Sequence, residues 1–213
     1  MPVTEQQQLF GSQDSPILGL ALLAAAIWVS KIWREDYLLH QSGKPHPGAL
    51  PGATSCPPKA LWIAVIGGFV LILLETLLEW TFGYHTQQTV ITAWFLAPML
   101  AAAILEEVIF RGYLSIQKHG KTILITSSVG FSALFAIAHP HLWTWEDHSL
   151  TLHLESGKAW FSTAALFAKS LGFYYLRLAP FNPQHSLLPC FVAHLAVNIA
   201  TFAIKAQQGY VQW

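Results

Sequence analysis

Three apolar segments of this sequence each carry a pair of side chains, four residues apart, that can take part in chemistry or position the groups that do. The pairs are Glu107 with Arg111, Phe135 with His139, and His194 with Asn198. Residues four apart project from the same face of a helix, so each segment offers one such face. A charged side chain at the centre of a membrane helix costs about 2.5 to 3.5 kcal/mol on insertion scales and usually faces the bundle interior. If the three faces converge, they form one site.

Glu106 differs from its neighbour Glu107 in the partner available to it. Glu107 precedes Arg111 by one helical turn, the favourable order for an ion pair, so a structural interaction explains it. Glu106 is turned by about 100° from Glu107 and has to find another partner. An acid within a membrane segment that lacks a partner on its own helix indicates a functional site.

A converged site places Glu106, two imidazoles and an amide in a pocket of low dielectric constant, which is enough chemistry to activate water. In one interpretation, Glu106 and His139 act as general base and general acid, while His194 and Asn198 donate hydrogen bonds to an oxyanion. In the other, Glu106, His139 and His194 hold a zinc ion that keeps an open position for water. The residue types fit both mechanisms, so the sequence leaves the need for zinc open.

The elements that carry these residues are predicted to be membrane helices. Of 213 residues, 54% are hydrophobic and only 10% are Asp, Glu, Lys or Arg, too little charge for the surface of a soluble domain. We therefore expect an all-α fold, a multi-pass transmembrane helical bundle with about six membrane helices. The spans run from about Pro16 to Trp33, Ala60 to Trp80, Val90 to Leu105 (with a helical pattern to near Lys118), Thr122 to His139, Ala159 to Pro180 and Leu187 to Ile204.

The chain is expected to divide into two parts. Residues 1–89 hold two membrane helices and a Pro- and Gly-rich segment, Arg34 to Lys59, which is predicted to be an irregular loop. Residues 90–205 form the membrane core that carries the three polar faces. The remaining membrane acids and lysine are expected to pair structurally across the second and fifth helices: Glu75, Glu79 and Lys169.

Charge and cysteine content exclude other classes of function. Lys and Arg together number 11, as do Asp and Glu, so the formal net charge is zero and no basic surface for nucleic acid is indicated. Cys56 and Cys190 have neither CxxC nor finger spacing. A disulfide framework and a thiolate zinc site are therefore not indicated.

In its three polar segments the chain resembles the CPBP family of intramembrane proteases, which includes type II CAAX prenyl endopeptidase-like and Abi-related proteins. The resemblance covers about Trp94 to Ile204 and implies a membrane-embedded endopeptidase. It rests on three motifs in the family's order: EEVIFR (Glu106 to Arg111) for EExxxR, FAIAH (Phe135 to His139) for FxxxH, and HLAVN (His194 to Asn198) for HxxxN.

The resemblance also implies roles for single residues. In the family, the first Glu of EExxxR and the His of FxxxH are thought to activate water, which carries over to Glu106 and His139. The matching His194 and Asn198 are assigned to transition-state stabilisation or to metal binding. Two further motif positions support the active glutamate, here Glu107 and Arg111.

The substrate implied is a membrane-associated protein or peptide, CAAX-like or otherwise anchored, and the protein is expected in the lipid bilayer of the cell membrane. The sequence lacks the HExxH, GxGD and GxSxG motifs, which disfavours the site-2, aspartyl and serine classes of intramembrane protease. The alternative is a non-catalytic membrane transporter or scaffold that uses the same polar residues to pack helices. A hydropathy repeat, which would favour a transporter, is not visible.

Overall fold

Helices make up most of this protein, whose computed structural model describes residues 15–146 and 149–213. Within these residues there are six α-helices: α1 Pro16–Gln41, α2 Pro58–Thr81, α3 Leu96–Glu106, α4 Lys121–Ala138, α5 Gly157–Leu178 and α6 Leu188–Gln207. A π-helix, Glu107–Tyr113, follows α3 directly, and short 3₁₀ turns lie at Tyr84–Thr86 and Ala93–Phe95. The predicted all-α multi-pass helical bundle is confirmed.

Two small sheets lie between the helices. β1 (Ile91–Thr92) pairs in parallel with β4 (Val211–Gln212), with Ile91 opposite Val211. β2 (Trp143–Glu146) and β3 (Ser149–Leu152), which lie between α4 and α5, pair in antiparallel fashion. The first sheet therefore ties the segment that leads into α3 to the segment that follows α6.

Five helical segments in the described part of the chain are long and apolar enough to cross a membrane: Pro16–Gln41, Pro58–Thr81, Ala93–Tyr113, Lys121–Ala138 and Leu188–Gln207. The remaining long helix, α5, lies where a fifth span was predicted but falls outside this group, and it carries Lys158, Lys169 and Arg177. Large apolar side chains such as Trp62 and Ile66 are exposed on the outer surface of the bundle. An integral membrane protein presents such a surface to lipid.

The predicted end of the first helix is wrong. α1 continues to Gln41, so the first part of the segment from Arg34 to Lys59 is helical rather than irregular. Asp36 explains the extension, because its carboxylate is buried and bonded from outside the helix. His46 Nε2 lies 2.7 Å from Asp36 Oδ1, and Leu50 N donates to Oδ2 over 2.7 Å. The loop thus folds back onto the added turns of α1.

The third helix also ends earlier than predicted, at Tyr113 rather than near Lys118. The Tyr174 hydroxyl of α5 donates to the Phe110 carbonyl oxygen over 2.6 Å and lies 3.4 Å from that of Leu114. Carbonyl groups at the end of a helix have no partner within it. A side chain of a neighbouring helix therefore satisfies these carbonyls where the chain turns away.

Small residues bring α2 and α6 close together. A Cβ atom added to Gly68 would lie 3.0 Å from the carbonyl oxygen of Ala193, and Ala64 and Ala193 are fully buried. Membrane helices commonly pack through such residues because the backbones can then approach closely. The packing fixes the rotation of α6 and so directs His194 towards α3. The adjoining apolar core includes Trp33, Val108, Phe173, Leu176, Cys190 and Val197.

Candidate active site

Three helical regions bring five of the predicted site residues into contact inside the bundle. Glu106 is the last residue of α3, Glu107 and Arg111 lie on the π-helix that follows, His139 comes directly after α4, and His194 lies on α6. π-helical turns are rare and are frequently found at functional sites. No local pattern in the sequence predicted this one.

The Glu106 carboxylate lies between the two imidazoles. Its Oε1 is 4.0 Å from His139 Nε2, and its Oε2 is 3.7 Å from His194 Nε2. These separations are too long for direct hydrogen bonds and of the size that a bridging water spans. The Glu106 and His139 side chains are 25% and 31% exposed. The acid and one of its histidines are therefore accessible to small molecules.

Each imidazole is oriented through its other nitrogen. His139 Nδ1 lies 2.8 Å from the Phe135 carbonyl oxygen, and His194 Nδ1 lies 2.7 Å from Glu107 Oε1. The His194 ring also stacks on Phe173, with 4.9 Å between centroids. An acceptor beside Nδ1 fixes the proton there and sets the orientation of the ring. The Nε2 atoms of both rings are thereby left facing Glu106.

Glu107 and Arg111 form an ion pair that is fully buried. Arg111 Nη1 donates to Glu107 Oε1 over 3.0 Å, and both side chains are 0% exposed. Arg111 Nη2 donates to Ser170 Oγ over 2.7 Å, and Ser170 Oγ donates to Ser132 Oγ over 3.0 Å. The guanidinium also packs over four aromatic rings, the nearest centroid 4.7 Å away. The ion pair is the one that helical spacing predicted. The bond from Arg111 to Ser170 joins α5 to the site.

Asn198 makes a different contact. Its Nδ2 donates to the carbonyl oxygen of Met99 over 3.0 Å, which links α6 to α3. This bond gives Asn198 a helix-packing role. A side-chain amide carries two N–H donors, so one is still available to a ligand.

Sequence reasoning missed Ser132 and Ser170, which are 0% exposed and continue the hydrogen-bond network from Arg111. Small polar residues are common wherever membrane helices pack. Their spacing relative to the motif residues carries no signal that separates them from ordinary packing serines.

A cavity of about 550 Å³ adjoins the site, with His139 in its wall. Its described charged side chains come from α2, α5 and α6: Glu75, Glu79, Lys158, Lys169 and Lys205. Lys169 Nζ lies 2.8 Å from Glu75 Oε2, which confirms the pairing predicted across the second and fifth helices. Glu79 pairs with Lys158 in the first turn of α5. The sequence did not predict that these pairs share a cavity next to the site.

Glu106, His139 and His194 do not form a metal site in this structure. Their donor types suit zinc, and each imidazole has the Nδ1 partner that zinc-bound histidines usually have. Among residues 15–146 and 149–213, however, no group of three or more His, Cys, Asp or Glu side chains is arranged to hold a metal ion. The zinc interpretation and the metalloprotease class therefore gain no support from the geometry.

The fold and the site define a class: integral membrane helical bundles with a Glu and His centre set inside them. Residues 87–200 match the family model described as type II CAAX prenyl endopeptidase Rce1-like. This match covers more than half of the 213-residue chain, and the protein belongs to that family. No curated protein and no solved structure matches the chain.

Family membership confirms the resemblance that rested on the three motifs, all of which lie within the matched residues. It implies a peptidase of the CAAX-processing type that acts on a membrane-associated protein in a bilayer. The family does not by itself assign the roles of individual residues or the substrate.

Proposed function

We propose that the protein is an intramembrane endopeptidase that hydrolyses a peptide bond in a membrane-anchored protein, using water activated by Glu106 and His139. One observation carries the proposal: the Glu106 carboxylate lies 4.0 Å from His139 Nε2 and 3.7 Å from His194 Nε2. A water held between the acid and His139 is within hydrogen-bond reach of both.

The reaction is a simple hydrolysis. Glu106 accepts a proton from the water, His139 hydrogen-bonds to the same water, and the water oxygen attacks the carbonyl carbon. The carbonyl electron pair moves to oxygen, and the resulting oxyanion accepts hydrogen bonds from the groups assigned to it, His194 Nε2–H and the free amide N–H of Asn198. Because His194 Nδ1 already donates to Glu107, this role assigns His194 the imidazolium form, with a proton on each nitrogen. The C–N bond then breaks, and its nitrogen takes the proton from Glu106. The products are a carboxylic acid and an amine.

Glu107 and Arg111 are assigned a positioning role. Glu107 binds His194 Nδ1 and Arg111 at the same oxygen, so the ion pair holds the imidazole in place. A buried, hydrogen-bonded network restricts the movement of the imidazole, so His194 Nε2 stays directed at Glu106.

The proposal predicts that Glu106→Ala and His139→Ala each abolish cleavage, with losses of at least about 10²-fold expected for a lost general acid or base. The assay follows cleavage of a membrane-anchored reporter peptide by the purified protein in detergent, beside a thermal melt that checks folding. Glu35→Gln, on an exposed acid of α1 outside both the site and the cavity, is the matched control and keeps its activity. Full activity in either alanine variant overturns the assignment.

The competing hypothesis is a non-catalytic transporter or scaffold whose polar residues hold the helices together. It predicts that alanine variants of Glu106, His139 and His194 lower the melting temperature together and that no proteolysis occurs. Within the described residues, no hydrogen bond of ordinary length reaches the Glu106 carboxylate. We therefore expect Glu106→Ala to melt close to wild type. A chelator titration of the cleavage assay separates the two water-activation mechanisms, since only the zinc mechanism loses activity.

A further inference from the structure

Lys205 differs from the other lysines of the cavity in its partners. The ammonium groups of Lys158 and Lys169 pair with Glu79 and Glu75. Lys205 Nζ instead donates to two neutral acceptors, the carbonyl oxygen of Thr89 over 2.7 Å and Gln88 Oε1 over 3.2 Å. No carboxylate among the described residues pairs with it. The Tyr210 ring centroid lies 5.9 Å from Lys205 Nζ. Since an ammonium has three N–H donors and two of them have hydrogen-bond acceptors, the third is left for a ligand.

A polar stripe on α6 connects the candidate active site to Lys205. Residues seven and eleven positions apart on a helix return to within about 20° of the same face. His194, Thr201 and Lys205 are spaced in this way, and Asn198 falls on the same face. Thr201 and Lys205 both line the cavity. The cavity therefore continues the active-site face of α6 towards the end of that helix.

The length of this stripe limits what can lie along it. Lys205 is about 16 Å from His194 and about 10 Å from Asn198 along the helix axis, at 1.5 Å per residue. An extended peptide advances about 3.3 to 3.6 Å per residue. Three to five residues on the leaving side of the scissile bond therefore reach from the site to Lys205.

We propose that the cavity binds the leaving segment of the substrate, and that Lys205 binds the free C-terminal carboxylate of that segment. The proposal rests on the proposed function, because it presupposes cleavage beside Glu106. The reach of three to five residues agrees with the CAAX-processing type of the family, since a C-a-a-X sequence has three residues after its modified cysteine. The new element is Lys205 as the group that recognises the free C-terminus.

The test compares a carboxylate with an uncharged end. A farnesylated peptide that ends in Cys-Val-Ile-Ala is prepared as the free acid and as the C-terminal amide, and both are assayed with the full chain in lipid nanodiscs. Wild type is expected to show a KM at least about ten-fold lower for the acid, the scale of a hydrogen bond to a charged group. Lys205→Gln removes this difference by raising the KM of the acid alone. Equal KM values for acid and amide in wild type, or an unchanged ratio in Lys205→Gln, overturn the proposal.

Two variants separate recognition of the carboxylate from a structural effect. Lys205→Arg keeps the positive charge and is expected to keep the preference for the acid. Lys169→Gln removes a cavity lysine that Glu75 already neutralises, and it should keep the preference as well. A general loss of stability lowers activity on both peptides without changing the ratio of their KM values. If Lys169→Gln abolishes the preference while Lys205→Gln retains it, the assignment to Lys205 is wrong.

A binding measurement separates this proposal from the hydrolysis itself. The Glu106→Gln variant is titrated with the tripeptide Val-Ile-Ala as free acid and as amide, followed by calorimetry. We expect at least about ten-fold tighter binding of the acid, lost when Lys205→Gln is added. If wild type cleaves neither the farnesylated acid nor the farnesylated amide, the proposed function fails. The tripeptide titration then still tests whether the cavity binds a carboxylate. Equal binding of the two tripeptides overturns the carboxylate site.

Discussion

The bundle contains two groups of charged residues that differ in how they are buried. The buried cluster consists of Glu107, Arg111 and the serines behind them, and its ion pair is 0% exposed. The pairs of the adjoining cavity retain access to solvent, with the Lys169 and Glu75 side chains 14% and 17% exposed. A carboxylate paired with a cation therefore lies in a dry environment in one region and in a partly solvated one in the other.

This difference indicates what each region is suited to do. Charges without water are costly to separate and hold their partners in one geometry. In the buried cluster, Glu107 Oε2 and Arg111 Nε have no hydrogen-bond partner among the described residues. Loss of either member of the ion pair therefore leaves the other as a buried charge without a counter-charge. Charges in the cavity can exchange partners with water or with a ligand. We infer that the buried cluster fixes the geometry of the site, whereas the cavity receives substrate.

The largest expected effect on stability is that of Arg111→Met, which leaves Glu107 as a buried charge without a cation. Breaking a buried pair in this way costs about 3 to 5 kcal/mol, a large part of the stability of a typical domain. The measurement is the free energy of unfolding by denaturant titration in detergent. The double variant Glu107→Gln with Arg111→Met removes both charges and should recover much of the loss. If the unfolding midpoint of Arg111→Met equals that of wild type, water reaches the cluster and the distinction from the cavity is wrong.

A smaller effect is expected for Ser170→Ala, which removes the acceptor for Arg111 Nη2 and the donor to Ser132. A buried polar group left without its partner costs about 1 to 3 kcal/mol. The matched control is Ser162→Ala, since Ser162 lies on the same helix but lines the cavity. Unfolding titrations of the two variants sharpen the comparison between the regions. Equal losses in both would remove the distinction between a dry and a solvated serine.

The local part of the site could be predicted because it depends on spacing along one helix. The pairing of Glu107 with Arg111 follows from a separation of one turn, and the same rule left Glu106 without a partner. That His139 and His194 meet Glu106 is a matter of tertiary packing. It was expected only conditionally from the sequence, with the family resemblance as support.

Other features had no signal in the sequence. The cavity depends on Lys158 and Lys205, which lie near helix ends where basic residues ordinarily mark the membrane surface. The extension of α1 to Gln41 depends on Asp36 accepting bonds from a loop that follows it. Lys158 and Lys205 have their partners on distant segments, Glu79 and Thr89, and Asp36 has its partners beyond the end of its helix. The division of the chain at residue 89 stays a prediction.

The smallest effect should come from the cavity pair, and its size measures how solvated the cavity is. Lys169→Met leaves Glu75 without its cation, but water in the cavity can solvate the carboxylate, so we expect a loss of about 1 kcal/mol or less, near that of exposed pairs. Unfolding titrations of this variant and of Arg111→Met in the same detergent compare the two regions directly. A loss as large as that of Arg111→Met would show that the cavity excludes water. In that case the Lys205 ammonium would have neither water nor a carboxylate beside it before substrate binds. The carboxylate of the leaving segment would then supply the missing counter-charge.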